Sequence, residues 1–428
     1  MRSLFLAVCV CTGLWFHPGP ALAADLELEP LITEALGANP GLHALQSRME
    51  AFQARIRPAG ALEDPVLKFD ASNVPLSSFD FNSTPMSGKQ IMLSQAIPFP
   101  GTLRAKTAVA EHTMRASESD LHDREAAVIN LVKQSYFMLG FVDRTIDVLE
   151  RNEDLLRDFV RIAESKYAVG NGLQQDVLKA QVSLSALQAQ LIRLRTERSV
   201  AASRLNLVLN RPIDQPVGRS GALTISSFLS DYDSLSARAM VGRPMLQQLA
   251  HARRSFEAKE RVAQKMGKPM LMFSLGYRQR DFMAFDPVKG SDFLSVGVGI
   301  SLPIYRGRKQ KEMAAEARAN VRMTDSRLEA AQQAVRFGVR SLLLVIEEHE
   351  QQERLYRTAI VPQAQQSLAS AMVGYQVDKV DFLTLLNNQL ALLNFEIDAD
   401  RHVTEHEKKI AELEAVTGVR FNSSSLTH

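Results

Sequence analysis

The sequence has only two cysteines, Cys9 and Cys11, and both lie within its first dozen residues. The rest of the chain can therefore hold neither a disulfide framework nor a cysteine-ligated metal ion. An excess of either charge is also missing, because 50 Lys and Arg residues face 48 Asp and Glu residues, for a formal net charge of +2. Proteins that bind nucleic acid carry a strongly basic face, so we expect no nucleic acid partner.

Catalytic motifs are almost absent from the sequence, which has no glycine-rich phosphate loop, nucleophile elbow or Cys/His dyad. Residues 402–406, HVTEH, match the H-x-x-E-H pattern of zinc proteases, in which His402 and His406 share a helix face and Glu405 acts as the base. Such a short pattern arises easily by chance, and a long coiled-coil helix offers no cleft. We expect no enzyme, catalytic residue, cofactor or metal site. Adventitious metal binding at the two histidines is the alternative to an exposed helix face.

Long apolar segments are missing after the first residues of the chain. Arg2, an apolar run at 4–16 and the small-x-small site at 21–23 predict a signal peptide over residues 1–23. A membrane anchor is the alternative, but such a run spans only ~20 Å of a ~30 Å hydrocarbon core. No later stretch is apolar over the 18 residues of a membrane helix. We expect an exported protein in which any membrane crossing is made by strands.

An internal repeat organises the rest of the chain. Residues 39–42, NPGL, match 243–246, RPML, and at the same spacing 65–67, PVL, match 269–271, PML. Further along, Tyr167 matches Tyr375. The predicted organisation is a first repeat at 24–209, a linker at 210–234, a second repeat at 235–417 and a flexible tail at 418–428.

Each half begins with a helical stretch, continues through two strands and ends in a pair of long helices. Apolar residues recur every three or four positions in these pairs, which predicts antiparallel coiled-coil hairpins that turn at 170–172 and 376–378. Pro362 lies inside a long helix and should kink it or change its winding. The predicted helices are 30–57, 104–167, 173–209, 235–265, 307–375 and 379–416.

The predicted strands alternate in polarity. Between Leu294 and Ile300 every second residue is Leu, Val or Ile, and the residues between them are Ser or Gly. A half-buried sheet of a water-soluble protein would alternate in the same way. Together with export, however, lengths near the 9 to 11 residues of a tilted membrane strand favour a lipid-facing sheet. Four strands cannot close a barrel, so we expect three copies to contribute twelve. The predicted strands are 65–75, 89–98, 269–279 and 292–303.

Short motifs, in their order and spacing, resemble the TolC family of trimeric outer-membrane efflux proteins. They are QAIPFPG at 95–101, LPIYRG at 302–307, PQA at 362–364, and YAVG at 167–170 followed by DVL at 176–178. The resemblance implies a mainly α-helical fold in which a twelve-stranded trimeric β-barrel in the outer membrane continues as a coiled-coil α-helical barrel in the periplasm. It also implies a periplasmic adaptor and an inner-membrane pump, of the RND type, as partners. The IPFPG form is most similar to the heavy-metal efflux branch.

The resemblance places a periplasmic gate at the hairpin tips, which contain Gly170 and Gly172. Two positions match family gate residues, and the others depart from the family pattern. Val380 stands where the best-known member of the family has an arginine, and Thr384 and Asn387 stand where it has aspartates. Two neighbouring acids offer an alternative source of negative charge. A solvated turn is the competing interpretation of these acids. The candidate gate residues are Asp176, Tyr375, Asp378, Asp381, Thr384 and Asn387.

The sequence thus predicts a passive exit duct of a tripartite efflux system, in contact with outer-membrane lipid. It would export small molecules or metal ions. The alternative is a periplasmic adaptor protein, which also has a coiled-coil hairpin and an export signal. An adaptor normally has one hairpin flanked by compact β domains, whereas this sequence repeats a strand pair and a hairpin twice.

Overall fold

A computed structural model of the chain describes residues 26–81, 84–221, 223–226, 231–282 and 284–421. The predicted signal peptide lies outside the described residues, as do most of the predicted tail and parts of the linker. The chain is mainly helical and contains one small sheet. The strands are β1 Val66–Ser72, β2 Gly88–Ile97, β3 Met270–Gln279 and β4 Phe293–Ser301. The helices are α1 Leu28–Ala38, α2 Pro40–Ala54, α3 Ile56–Gly60, α4 Thr102–Ala168, α5 Gln174–Val208, α6 Tyr232–Gly242, α7 Pro244–Met266, α8 Gln310–Leu355, α9 Val361–Gln376 and α10 Phe382–Thr417.

The chain forms two compact units, and each contains segments from both halves of the sequence. Unit 1 contains residues 26–38, Leu131–Ser226 and Val345–Ala411, and it includes both hairpin turns. Unit 2 contains Asn39–Asn130 and Ser227–Leu344 together with the segment that follows Ala411, and it includes the whole sheet. The boundaries of the two sequence repeats stay a prediction.

Prolines break the helical stretch that begins each half. The sequence predicted single helices there, but α2 and α7 start at Pro40 and Pro244, directly after α1 and α6 end. The residue before each proline is extended, with φ −70° and ψ 116° at Asn39 and φ −66° and ψ 115° at Arg243. The proline ring disfavours helical backbone at the preceding residue, so the helix stops and restarts. The predicted single helices 30–57 and 235–265 were therefore wrong, since each is divided at a proline.

Pro362 changes the winding of the helix in which it lies, as predicted. A π-helical turn, Tyr356–Ile360, separates α8 from α9, and this proline is the second residue of α9. Proline has no N–H, and in regular α-helix its ring collides with the carbonyl group four residues earlier. The wider turn accommodates this collision while the helix continues.

The four strands form one antiparallel sheet in the order β1-β2-β3-β4. The central pair joins the two sequence halves, because β2 pairs with β3, for example Ile91 with Tyr277. The outer pairs are the two hairpins, in which Leu67 lies opposite Leu93 and Leu275 lies opposite Val296. The strands lie within two or three residues of the predicted segments at both ends. Within the described residues, β1 and β4 are the edges of this sheet.

One face of the sheet is apolar and exposed across all four strands. Phe69 and Val296, on the two edge strands, are 69% and 76% exposed. The opposite face is polar: Lys68 pairs with Asp70 at 2.7 Å, and small residues occupy the same face of β4. If the chain buried the apolar face of the sheet in its own core, that face would be inaccessible and the polar face would be the exposed one. None of the described helices is long and apolar enough to cross a membrane.

The hydrophobic core of unit 1 follows the predicted heptad seam. Leu149 and Leu156 of α4 are 0% and 1% exposed, and they belong to one cluster with residues of α5, α9 and α10. Tyr167, which the same periodicity placed in the seam, is instead 50% exposed near the end of α4. One polar link crosses this core, where Gln389 Nε2 donates to Asn152 Oδ1 at 2.8 Å. Because burial without a partner would be costly, this amide pair fixes the register of α4 against α10.

Candidate gate at the hairpin tips

Both hairpins turn through the same backbone motif. At the first tip, Asn171 N donates to Lys166 O at 2.9 Å and Gly170 N donates to Tyr167 O at 3.0 Å. The second tip repeats the longer-range bond, from Lys379 N to Gly374 O at 2.9 Å. These are Schellman endings, which require a left-handed residue just after the helix. The shared motif makes the two tips structural counterparts.

The left-handed residue differs between the tips. It is Gly170 in the first, with φ 79°, and Asp378 in the second, with φ 60°. Glycine takes this conformation freely, whereas other residues pay a steric cost and Asp and Asn tolerate it best. Residues held in such conformations cluster at functional sites. The carboxylate of Asp378 therefore occupies a position that the fold would more readily give to glycine.

The tips are also packed too closely for larger side chains at two glycines. A Cβ atom on Gly172 would lie 2.9 Å from Lys166 Cβ, and one on Gly374 would lie 2.5 Å from Val380 Cγ2. Each hairpin therefore requires a glycine at its closest packing contact: Gly172 against Lys166 in the first hairpin, and Gly374 against Val380 in the second. Val380 is a packing residue of this turn.

Lys166 connects the first hairpin to the second. Its ammonium group donates to the Tyr375 carbonyl oxygen and to Asp378 Oδ1, and it lies 4.7 Å from the centroid of the Tyr375 ring. Only 14% of the Lys166 side chain is exposed, against 64% for Asp378. The ion pair is therefore partly screened by solvent and contributes at most about 1 kcal/mol, to which the ring contact adds about 0.5–1 kcal/mol.

Tyr375 is buried beneath this lysine. It is 5% exposed, its ring centre lies 5.5 Å from that of Phe382, and its hydroxyl oxygen has no hydrogen-bond partner among the described residues. Burial raises the pKa of Tyr375, and the charges of Asp176 and Asp378 raise it further. The phenol therefore stays protonated at neutral pH. A buried hydroxyl without a partner is costly, so this group is available to donate to an acceptor that is brought to it.

The remaining candidates lie around the tips in different roles. Asp381 caps α10, since its Oδ1 accepts from Thr384 N at 2.7 Å. That backbone hydrogen bond is the main cause that holds the pKa of Asp381 below its usual value. Asp176 lies in the first turn of α5 and is partly buried, while Thr384 and Asn387 are exposed on α10. The solvated-turn interpretation thus describes Asp381 well, whereas Asp378 makes a contact between hairpins.

The H-x-x-E-H residues do not form a protease site. His402 Nδ1 lies 3.2 Å from His349 Nδ1 on α8, whereas His406 Nδ1 lies 3.0 Å from Glu407 Oε1. Burial lowers the pKa of both His349 and His402. Across the part of the chain that the structure describes, no group of three or more His, Cys, Asp or Glu side chains is arranged to hold a metal ion.

A polar cavity of about 580 Å³ in unit 1 is built from ion pairs of the linker and the helices. Arg219 of the linker contacts Asp147 at 2.6 Å, and Asp400 lies between Arg144, at 3.1 Å, and Arg357, at 3.6 Å. Burial raises the pKa of Asp400 against the opposing effect of these arginines. The charges of the cavity are thus matched within the chain, and they hold the linker against the helices.

Comparison with known families identifies the chain. The sequence profile of the outer membrane efflux protein family matches it twice, over residues 31–211 and 235–417. These two matches together cover most of the chain, which therefore belongs to the outer membrane efflux protein family. The predicted mainly α-helical fold with one four-stranded sheet is confirmed, and so is the outer membrane as the location. The trimer and its twelve-stranded barrel stay predictions.

Individual relatives are distant in sequence. The outer membrane efflux protein BepC of Brucella suis is 24% identical over 59% of this chain, and this chain spans 56% of BepC. The cobalt-zinc-cadmium resistance protein CzcC of Cupriavidus metallidurans is 22% identical over 88% of this chain and 86% of its own length. Among solved structures, the outer membrane protein VceC of Vibrio cholerae has a TM-score of 0.77 at 19% identity, over 92% of this chain and 97% of that chain.

Sequence reasoning missed Lys166 as a member of this site. The sequence did contain an indication of its role. Lys166 lies in the last turn of α4, beside the tip, where a positive charge interacts favourably with the helix dipole. Its partner could not be recognised, since the contact joins residues of different hairpins. Asp378 was predicted as a candidate gate acid, but its left-handed backbone and its contact with Lys166 were not.

The bridge from Lys166 to the second tip predicts local stability there. Lys166→Met should speed amide hydrogen exchange over residues 374–382 about fivefold, because removing about 1 kcal/mol raises the open population by that factor. Asp378→Asn, which keeps the left-handed turn, should reproduce most of the effect. Arg161→Met is the matched control, since among the described residues Arg161 pairs with Asp158 of its own helix. Equal exchange in the Lys166 variant and the wild type would contradict the bridge.

Proposed function

We propose that three copies of this chain assemble into one exit duct for efflux across the outer membrane. The observation that carries the proposal is the four-stranded sheet with two free edges and an exposed apolar face. Hydrocarbon offers no hydrogen bonds, so each edge would leave roughly eight to ten backbone groups unpaired at a cost of tens of kcal/mol. The edges must therefore pair with other copies.

The number of copies follows from barrel size. Two copies would give eight strands, whose interior is filled by side chains, whereas three give twelve and leave room for a lumen. In such a barrel the apolar face of each sheet contacts lipid and the polar face lines the lumen. A periplasmic adaptor, the alternative from the sequence, would have no use for an exposed apolar sheet face.

Neighbouring residues of β4 test which face contacts lipid. Val296→Arg places a charge on the apolar face and should destabilise the assembled barrel by about 2–4 kcal/mol if that face meets the bilayer centre. Ser295→Arg places the same side chain on the polar face, where the lumen accommodates it. We expect the first variant to lose trimers in outer-membrane fractions on semi-native gels and the second to keep them. Equal loss in both variants would argue against a lipid-facing apolar surface.

We infer that the duct performs no chemistry of its own. Its energy would come from an inner-membrane pump of the RND type, coupled to the duct through a periplasmic adaptor. Membership of an efflux family and the likeness to channel structures support these partners. Cargo would cross passively once the periplasmic entrance is open.

The hairpin tips are the entrance gate in this proposal. Around a threefold axis each tip residue becomes a ring of three, which concentrates its charge or its hydrogen bonds at the pore. The buried hydroxyl of Tyr375 has no acceptor among the described residues, and the charges of Asp176 and Asp378 help to raise its pKa. We infer that the closed gate supplies the acceptor, and that opening removes it.

Tyr375→Phe tests this gate directly. It removes one hydroxyl without changing the packed ring, so we expect the chain to fold normally and the channel to show a severalfold higher conductance in planar lipid bilayers. The matched control is Tyr167→Phe, because Tyr167 occupies the equivalent position of the first hairpin but is exposed. Unchanged conductance in the Tyr375 variant would exclude its hydroxyl from the closed state.

Divalent metal ions are the cargo that the comparisons favour. CzcC carries cobalt, zinc and cadmium resistance in its name and aligns over 88% of this chain. The IPFPG segment at 97–101 resembles the heavy-metal branch. Both observations point to metal export rather than drug export.

Growth of a deletion strain tests the cargo. Loss of the gene should increase sensitivity to cobalt, zinc or cadmium and leave sensitivity to a panel of drugs unchanged. Restoring the wild-type gene should restore growth. A strain that becomes sensitive to drugs alone would contradict metal export without affecting the proposal of a duct.

A further inference from the structure

Two histidines from different helices face each other in unit 1. His349 lies on α8 and His402 on α10, their Nδ1 atoms are 3.2 Å apart, and their ring centres are 5.5 Å apart. Both side chains are partly buried. The family comparisons and the gate give neither residue a role, and the H-x-x-E-H pattern had paired His402 with a different residue, His406.

The separation of the two nitrogen atoms matches a metal chelate. Zinc binds histidine nitrogen at ≈ 2.0–2.1 Å with tetrahedral geometry, so two such ligands lie about 3.3 Å apart. The observed 3.2 Å between His349 Nδ1 and His402 Nδ1 is therefore close to the separation that one bound ion requires. The competing arrangement is a direct hydrogen bond, in which one Nδ1 donates its proton to the other.

The surroundings are acidic on one side and aromatic on the other. Glu348 precedes His349, and Glu405 lies one turn after His402 on α10. Both carboxylates are close enough to affect the charge state of His349. The Tyr356 ring centre lies 5.2 Å from that of His402, and Tyr356 begins the π-helical turn. Single π-helical turns occur frequently at functional sites.

Opposing charges are also present and limit the strength of the site. Lys409 and Arg401 act on the pair, and Glu405 is already bonded to Lys408 at 2.6 Å. Glu348 also accepts a hydrogen bond from Gln352 Nε2, at 3.2 Å. With both carboxylates engaged, two imidazole nitrogens remain as protein ligands. The remaining positions of a tetrahedral ion would then be taken by water.

We propose that His349 and His402 form a two-histidine site for a divalent transition-metal cation such as zinc. The site would bridge α8 and α10, and water would complete the coordination. This inference does not rest on the cargo proposal, because a bound ion can stabilise a helix pair whether or not the duct exports metals.

Titration calorimetry with zinc chloride on the full-length, tag-free protein in detergent tests the proposal. We expect one zinc per chain in the wild type, and His349→Gln or His402→Gln should weaken its affinity on the order of tenfold or more. His112→Gln is the matched control. His112 stacks with His251 at a centroid distance of 5.9 Å, and nearby Arg115 and Arg254 repel a cation.

A second measurement needs no substitution at the site. Zinc should protect His349 and His402 of the wild-type protein from diethyl pyrocarbonate, as read by mass spectrometry, and should leave His112 and His251 unprotected. Zinc binding that is unaffected by both site variants, or no protection of either site histidine, would overturn the proposal and leave the direct hydrogen bond as the explanation.

Discussion

The backbone hydrogen bonds at the edges of the sheet are the constraint on which the account depends. β1 and β4 each present one row of N–H and C=O groups without a partner in the described chain, beside a face that exposes large apolar side chains. Water could hydrogen-bond to the edge N–H and C=O groups, but exposing the apolar face to water is unfavourable. Lipid would bury the apolar face, but it could not hydrogen-bond to the edge groups. The proposed pairing between copies would meet both requirements.

The two hairpin tips share a backbone motif but differ in the residue at one equivalent position. Both tips end in the same Schellman motif, yet the left-handed position is Gly170 in one and Asp378 in the other. A left-handed backbone is sterically less favourable for Asp378 than for glycine, but it places a carboxylate next to Lys166. The strained residue thus provides a link between the two hairpins. A link of about 1 kcal/mol is weak enough to be broken when an entrance opens.

Much of the fold could be predicted because it follows from periodicity. Period-2 alternation located all four strands and both faces, and heptad spacing located the buried leucines such as Leu149 and Leu156. Helix breaks at Pro40 and Pro244 were missed, although proline marks them, because the apolar pattern continues through them. The contacts of Lys166 with the second tip and of His349 with His402 were not predictable, since each joins residues of different helices. Periodicity identifies a face of an element but not its partner.

The mass of the detergent-solubilised protein, measured by light scattering with the detergent subtracted, tests the central claim most directly. If the free edges of β1 and β4 pair between copies, the protein extracted from outer membranes has three times the mass of one mature chain. A folded single chain of monomer mass, with its sheet intact, would show that the edges are satisfied in another way and would contradict the account.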